Sequence, residues 1–415
     1  MLDINKIRED KKTIEKSLLK RMDPKNLNLD AIIKLDDERK QLLQEVEVLK
    51  AERNKYSKTK PDEQIIKKMK VVGEKIKSLD EKIRKVETEF NVKLGDLPNI
   101  TADDVVAGGK ENNKVIKTFG KKPNFKFKTK DHVQLATDLD MIDYERGAKM
   151  SGAGFWVYKG QGAILEWSLL NYFIDFHQKN NYTFMIPPFL LTEQSAYTSG
   201  HLPKFRDDLF WTQEKTCLNA TSEMMLGNYH RDEILLEENL PLKYCAYSAC
   251  FRREAGSYRK EERGMIRGHQ FNKIEMFQFT KPEDSWKGFD ELTDYAQKLT
   301  DGLGLHFQSV LLAARDASAA MAKTIDVEVW IPSMDTYKEV SSISNALDYQ
   351  ARRGNIRFKD SKTGKNEFVH TLNASGLATS RLLPAILEQF QNEDGTVDVP
   401  KVLHKYTGFK KIQKP

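Results

Sequence analysis

The sequence predicts an α+β chain: an N-terminal antiparallel helical coiled-coil arm, then a catalytic-sized domain in which helices surround an antiparallel β-sheet. Three observations carry the prediction. The first hundred residues are highly charged, contain only Gly73 and Gly95 as glycines, and repeat apolar residues at spacings of three and four. A stretch rich in Pro, Gly, Asn and Lys follows. Beyond it, short strand-like runs alternate with helical ones. With 415 residues there is room for two domains, one with a substantial core. The expected division is an arm over 1–105, a linker over 106–130 and a folded domain over 131–415.

The arm carries two seams. Ile32, Leu35, Arg39, Leu42, Val46, Leu49, Arg53 and Tyr56 form the first, and Ile65, Met69, Val72, Ile76, Leu79, Ile83, Val86 and Phe90 the second. Spacings that average 3.5 are those of a left-handed coiled coil. Between the seams, Ser57-Lys58-Thr59-Lys60-Pro61-Asp62-Glu63 favours a reversal of direction. The economical reading is one self-paired hairpin over about 28–94, a rod of roughly 45 Å at 1.5 Å per residue. A short helix from Ile4 to about Leu19 precedes it. An intermolecular coiled coil is the alternative, and the proline-containing break argues against it.

In the second domain, Ala163–Phe176 reads as a helix and Thr183–Leu190 as a strand whose Pro187 and Pro188 suit an edge or interface. Strand-like runs are expected at 205–220, 244–252, 271–279, 326–331 and 337–343. Helices are expected at 222–230, 284–300, 345–353 and 381–391.

Composition narrows the function. The net charge is +6, yet residues 50–85 hold 13 Lys and Arg against 6 Asp and Glu, so the rest of the chain is close to neutral. Lys58, Lys60, Lys67, Lys68, Lys70, Lys75, Lys77, Lys82, Arg84 and Lys85 concentrate there, which suits a polyanion, although a solvated helix face has the same look. Cys217, Cys245 and Cys250 cannot form a disulfide framework and lack zinc-ligand spacing. The N-terminus is too charged for a secretory signal, and no apolar run approaches the roughly 20 residues that span a bilayer. A cytoplasmic protein with no membrane segment is expected. A Walker-type phosphate loop is absent.

Two distant stretches carry the chemistry. Residues 251–275 read as a strand, a charged loop and a second strand, with Arg252 and Glu275 near the ends. Residues 373–381, Asn-Ala-Ser-Gly-Leu-Ala-Thr-Ser-Arg, read as a tight glycine-containing turn that delivers Arg381 from a helix start. Two arginines brought together in this way clamp a triphosphate from both ends. Phe271 offers a face for a purine, and nearby carboxylates suit an amine. Taken singly, Arg252 and Arg253 read as surface charges, Glu223 and Glu275 as helix-start or sheet-edge carboxylates, Ser375 and Gly376 as turn residues, and His269 as a hydrogen-bonding histidine. Their joint occurrence changes that weighting.

These stretches resemble motifs 2 and 3 of the class II aminoacyl-tRNA synthetases, and over the whole chain the sequence is similar to seryl-tRNA synthetases. The resemblance rests on Thr221-Ser222-Glu223, Arg252-Arg253-Glu254, Glu275, Glu339-Val340-Ser341-Ser342, Ser375 and Arg381 in the family's order. It implies ATP-dependent activation of L-serine to seryl-adenylate and transfer of the seryl group to the 3′ end of serine tRNA, with selenocysteine tRNA a second candidate acceptor. It also implies a homodimer formed through Thr183–Leu190. Arg252 would bind the α-phosphate and the attacking carboxylate, and Arg381 the γ-phosphate. Arg253, Glu254, Phe271 and the segment Glu339, Val340, Ser341 and Ser342 would complete the ATP site, with Phe271 on the adenine face and Glu254 at its edge. Glu339 and Ser342 would hold Mg2+ with the nucleotide. Thr221, Ser222, Glu223, Glu275 and Ser375 would contact serine. The loop 257–263 would cover the nucleotide, and the basic arm would reach the long variable arm of the tRNA.

Some positions depart from the family's usual pattern: Ser222 for alanine, Ile343 for cysteine, Ala374 for glycine, and Thr379-Ser380 for Val-Gly. Ala374 puts the geometry of the expected turn in question. Two rival readings are a seryl-adenylating paralogue that loads a carrier protein or small metabolite, and a catalytically silent tRNA-binding module. The second requires loss of Arg252, Glu275 or Arg381, and all three are present.

Overall fold

A computed structural model describes residues 1–56, 63–255 and 264–414. The expected reversal at 57–62 and the whole of the loop 257–263 lie outside the described residues. The chain divides into two units, Met1–Ile100 and Thr101–Pro415.

In the first unit α1 (Ile4–Glu9) and α2 (Lys11–Leu18) replace the single short helix read from sequence. The break falls at Asp10, whose side chain accepts from the Thr13 N–H and caps the second helix. Then α3 (Leu29–Tyr56) and α4 (Glu63–Asp96) pair antiparallel. Lys68 meets Glu52 at 2.7 Å near one end, and the Arg39 guanidinium lies 5.3 Å from the Phe90 ring near the other. Ile32, Val46, Val72, Ile76, Ile83 and Phe90 are buried on the two seams, whereas Arg53 is exposed. Arg39 keeps its place in the seam through the ring and through Asp36.

Asp36 is the buried charge of this unit. Its carboxylate meets Arg8 of α1 at 2.9 Å, Arg39 at 2.8 Å and Lys40 at 2.8 Å. Burial acts to raise its pKa, but the hydrogen bonds from Lys40, Arg39 and Arg8 outweigh it and bring the carboxyl down to about 2. A depressed carboxyl adds stability that is fully present above the ordinary value of 3.8 and is lost as pH falls towards 2. Asp36→Asn should therefore cost the arm roughly 1–2 kcal/mol at pH 7. Helical circular dichroism during denaturant unfolding checks this, and the difference from wild type should shrink between pH 4 and pH 2.

The second unit is built on an eight-stranded sheet. Its elements in chain order are β1 (Lys114–Phe119), α5 (Gly160–Lys179), β2 (Thr183–Met185), β3 (Leu242–Phe251), β4 (Gln270–Thr280), α6 (Ser285–Gly302), β5 (Phe307–Leu311), β6 (Lys323–Ile331), β7 (Thr336–Leu347), α7 (Tyr349–Gly354), β8 (His370–Ala378) and α8 (Thr379–Gln389). The spatial order is β1-β5-β6-β7-β8-β4-β3-β2. Neighbours run antiparallel except β2 and β3, which are parallel. Ile325, Val327, Val329 and Ile331 of β6 share one core with Phe289, Leu292, Ala296 and Leu299 of α6. The alternate residues Thr324, Asp326 and Glu328 point to the opposite face and line a cleft.

Several expectations change. The segment read as a linker over 106–130 contributes β1, the edge strand beside β5. Within 205–220 only Thr216–Leu218 is a strand, and Arg206–Asp208 forms a 3-10 turn. The helix expected at 222–230 is a single turn, Glu223–Leu226. Residues 345–347 finish β7 before α7 begins at Tyr349, with Leu347 at φ 50° breaking the strand. The strand expected at 183–190 stops at Met185, ahead of the two prolines, and a separate short strand begins at Leu190. Residues 373–378 are no turn: they form the end of β8.

Candidate active site

Strand β4 works as a ruler. Phe271, Lys273 and Glu275 alternate onto the cleft side, spaced by roughly 6.6–6.8 Å per pair of residues, while Ile274 and Met276 enter the core. Glu275 stands opposite Ala246 of β3 and Ser375 of β8. At the head of the hairpin, the Arg252 N–H donates to the His269 carbonyl at 3.0 Å, and His269 Nδ1 lies 3.0 Å from the Arg252 carbonyl. His269 is thus a hydrogen-bonding residue that closes the hairpin. The Arg252 guanidinium sits 5.1 Å from the centre of the Phe271 ring and donates from Nε to the Ala220 carbonyl.

The other arginine arrives from α8. Arg381 donates to the Glu339 carbonyl at 2.8 Å and the Ile266 carbonyl at 3.2 Å, and lies 3.5 Å from the Glu339 carboxylate. Arg252 and Arg381 line one cavity together with Glu254, Phe271, Lys273 and Ser375. Arg267, Glu339 and Arg381 also line the adjoining cavity of about 890 Å3, so the two form a continuous cleft. That volume is of the size that holds a nucleotide-sized ligand.

Two bulges set the remaining side chains. In β6 and β7, Asp326 faces Ser342 and Glu328 faces Glu339, because Val340 and Ser341 together oppose Val327. The extra residue brings Glu339 and Ser342, three apart in sequence, onto the same face. Val340 and Ser341 are buried, and the Ser341 hydroxyl donates to the Ser375 carbonyl instead of facing the cleft. In β8 the register shifts between Ser375 and Ala378. Gly376 is needed there for space: a Cβ would lie 2.3 Å from Nε2 of the buried His177. Ala374 is fully buried in the core, so its methyl does not reach the cleft.

Glu223 and Glu275 meet in a small buried pocket. Asn373 donates to both, at 3.3 Å and 3.1 Å. Ser375 donates to Glu275 at 3.4 Å, Gln350 to Glu223 at 2.7 Å, and Lys273 to Thr221 at 2.6 Å and to Glu275. Burial, with the neighbouring Glu275 charge, pushes the Glu223 carboxyl up to about 7 against the pull of Lys273, Gln350 and Arg252. Burial, with the charges of Arg252 and Lys273, lowers His201 to about 3, which keeps it neutral. Ser222 turns away from these groups and donates to Ser248 at 2.7 Å.

The structure therefore brings Thr221, Glu223, Glu275 and Ser375 into one pocket, and Arg252, Glu254, Phe271, Glu339, Ser342 and Arg381 around the cleft. It places Ser222, Val340 and Ser341 behind that surface. Arg253 packs elsewhere, donating to the Asp207 carbonyl at 3.2 Å. Sequence reasoning passed over Lys273, Gln350, Arg267, Asp326 and Glu328. The alternation Asp326-Val327-Glu328-Val329 was a readable signal for the last two. Gln350 offered none, since only the tertiary fold carries it to Glu223.

The acidic face carries like charges that a hard cation would balance. Glu328 and Glu339 stand directly opposite each other, an unfavourable pairing without positive charge. Asp326 Oδ1 is buried and has no hydrogen-bond partner among the described residues. Burial and the Glu339 charge drive the Asp326 carboxyl well above the ordinary range.

Comparison with known proteins agrees with this geometry. Residues 1–101 match the seryl-tRNA synthetase N-terminal domain, and residues 205–390 match the tRNA synthetase class II core domain (G, H, P, S and T). The chain is 54% identical to serine–tRNA ligase 2 of Clostridium acetobutylicum, with 99% of this chain and 100% of that protein covered. It is 44% identical to the serine–tRNA ligase of Staphylococcus saprophyticus, with both chains covered in full. The crystal structure of seryl-tRNA synthetase from Pyrococcus horikoshii complexed with ATP superposes with a TM-score of 0.92 at 34% identity over 100% of both chains. That of the cytoplasmic serine–tRNA ligase from Naegleria fowleri in complex with AMP gives 0.87 at 32% identity, over 100% of this chain and 99% of that one. The chain belongs to the seryl-tRNA synthetase family of class II aminoacyl-tRNA synthetases.

Proposed function

We infer that the protein is an ATP-dependent serine–tRNA ligase, which forms seryl-adenylate and passes the seryl group to the 3′ end of serine tRNA. The observation that carries this reading is one continuous cleft with Arg252 and Arg381 along it and the buried Glu223–Glu275 pocket beside it.

In the first step a serine carboxylate oxygen bonds to the α-phosphorus while the bond to the bridging oxygen breaks and pyrophosphate leaves. Both reactants are anions, so positioning and charge stabilisation supply the rate. The Arg252 fork holds the carboxylate and α-phosphate together, and Arg381 holds the γ-phosphate. Phe271 takes the adenine face and Glu254 its edge. Glu223 and Glu275 receive the serine ammonium, while Thr221 and Ser375 present hydroxyls to the amino acid. A site built to hydrogen-bond the serine hydroxyl disfavours alanine, which leaves buried polar groups unpaired. Glu339, Ser342 and Asp326 would be the oxygen donors for magnesium. A magnesium ion bound with the nucleotide would supply positive charge against the phosphates. In the second step a terminal tRNA hydroxyl attacks the carbonyl carbon of the adenylate, and AMP departs.

The acceptor is assigned from the arm. Lys67, Lys70, Lys75, Lys77, Lys82, Arg84 and Lys85 are all exposed, and such side chains contact phosphates and read shape more than sequence. A second copy of the chain is the partner proposed for the opposite edge of the sheet from β1. There β2 is an edge strand, and Ile164, Trp167, Ile186 and Leu190 are exposed large apolar residues on and beside it. Three free, buried cysteines suit a reducing cytoplasm. No helix among the described residues is long and apolar enough to cross a membrane.

Serine-dependent ATP–pyrophosphate exchange, followed by charging of total tRNA, tests the reading. Exchange with another amino acid, or no transfer to tRNA, overturns it. Arg252→Ala should reduce exchange at least about 100-fold while the melting temperature stays near that of wild type. Because Glu223 titrates near 7 and its charged form attracts the ammonium, the KM for serine should fall as pH rises from 6 to 8. Glu223→Gln should flatten that slope and raise KM. Reversing Lys75, Lys77, Lys82 and Lys85 to glutamate should raise the KM for tRNA more than tenfold and leave exchange unchanged. The salt dependence of tRNA binding should become shallower in the same variant.

A further inference from the structure

Helix α5 carries a buried carboxylate that the steps above do not use. Glu166 is 3% exposed, although burying such a group is unfavourable unless it is well partnered. Its Oε1 accepts from the Thr379 hydroxyl at 2.6 Å and from Asn272 Nδ2 at 2.7 Å. Burial pushes its carboxyl up to about 7, while the hydrogen bonds from Thr379 and Asn272 act in the opposite direction.

What these partners are attached to gives the arrangement its meaning. Asn272 lies between Phe271 and Lys273 on β4, with its side chain on the far face of the strand from the cleft. Its amide oxygen accepts from the Tyr247 hydroxyl at 3.1 Å, so the side chain is fixed at both ends. Thr379 is the first residue of α8, two before Arg381, and its hydroxyl also lies 3.1 Å from the Asn272 carbonyl. The buried Oε1 thus ties the side chains of the strand that presents Phe271 to the helix start that presents Arg381, beside the direct contact of Thr379 with the Asn272 carbonyl and the ladder pairing of Ala378 with Lys273. Neither Glu223 nor Glu275 bonds to this group.

We propose that Glu166 is a positioning residue for the nucleotide, which fixes the separation between the aromatic face at Phe271 and the arginine at 381. The proposal rests on the ATP-dependent reading above. Misplacing a binding group by about 1 Å is enough to cost on the order of 100-fold in rate. The tie acts on the ATP half of the cleft, so losing it separates the KM for ATP from the KM for serine.

The test is serine-dependent exchange and thermal melting of the full chain as wild type, Glu166→Leu, Glu166→Gln, Thr379→Val and the Glu166→Leu/Thr379→Val double variant. Glu166→Leu should raise the KM for ATP at least tenfold and leave that for serine within threefold. Glu166→Gln keeps a carbonyl oxygen to accept from Thr379 and Asn272, and should bring the KM for ATP back to within threefold of wild type. Thr379→Val should raise it three- to tenfold, and should add less than that in the Glu166→Leu background, because the two changes share the Glu166–Thr379 bond although Thr379→Val also removes the contact with the Asn272 carbonyl. The assignment is overturned by a folded Glu166→Leu with the wild-type KM for ATP, by KM values for ATP and serine that rise together, or by effects of the two changes that multiply. Should Glu166→Leu fail to fold, Thr379→Val alone decides: an unchanged KM for ATP overturns the tie. A wild-type protein without exchange overturns the ATP-dependent reading itself, and this assignment with it.

Discussion

Every feature of the cleft answers to one electrostatic constraint: charges buried together have to leave room for the charge that a ligand brings. In the small pocket two carboxylates, Glu223 and Glu275, face one ammonium, Lys273. The surplus is negative, and the cheapest response without a ligand is to keep a proton on Glu223, which is the direction its shift takes. In the proposed reaction an amino acid that enters with its ammonium forward would replace that proton by a fixed charge, with its carboxylate towards Arg252. The acidic face of β6 and β7 poses the same problem on a larger scale, with Glu328 opposite Glu339 and Asp326 buried next to them. In the proposed reaction the counter-charge there would be a cation that arrives with the nucleotide.

Local backbone irregularity places these groups. A regular β7 would put Glu339 and Ser342 on opposite faces, since their numbers differ by three. The extra residue at Val340–Ser341 restores them to one face and sends the Ser341 hydroxyl to the Ser375 carbonyl, which ties β7 to β8 at the pocket. The shift in β8 follows at once, with Gly376 seated against His177 and Leu377 at φ 148°. The backbone then re-enters a helix in time to aim Arg381 into the cleft. Glu254, at φ 51° just past the end of β3, turns the hairpin strand and lies 2.6 Å from Arg267. Strain and bulges are thus concentrated around the cleft.

What was legible in the sequence follows from the range of the forces involved. The arm could be read because a coiled coil is specified by neighbours three and four residues away, and even the polar Arg39 in the seam has a local explanation in Asp36 and Phe90. Strand β6 could be read because Ile325, Val327 and Val329 alternate with polar residues. The stretch 205–220 misled because Leu209 is buried by tertiary packing in a loop ahead of the short strand Thr216–Leu218, so apolar spacing there reports the core and not one long strand. Strand β1 was missed because nearly all of it is exposed, with Lys114 and Lys117 among apolar residues, which leaves no buried face to impose a period. The arginines and glutamates of the cleft were found as motifs. Lys273 and Gln350 were not, because their roles arise only when β4, α7 and the turn at Glu223 converge.

The positions that depart from the family's usual residues follow the same division between the reacting surface and what lies behind it. Ala374 and Ile343 are packed in the core, on strands β8 and β7 directly opposite each other. The Ser222 hydroxyl is satisfied by Ser248, one layer beneath Glu223. Thr379 gives its hydroxyl to Glu166. Of the five, Ser380 is the one that lines the cavity shared by Arg252 and Arg381. All five leave the charges of the cleft unchanged, and two of them, Ser222 and Thr379, add hydroxyls whose hydrogen bonds hold a strand and a helix start in place. A buried hydroxyl is stabilising only while its partner stays aligned. Each such exchange therefore trades a tolerant apolar contact for a directional one, and it makes the placement of Arg381 and Glu223 depend more strictly on the sheet and helix behind them.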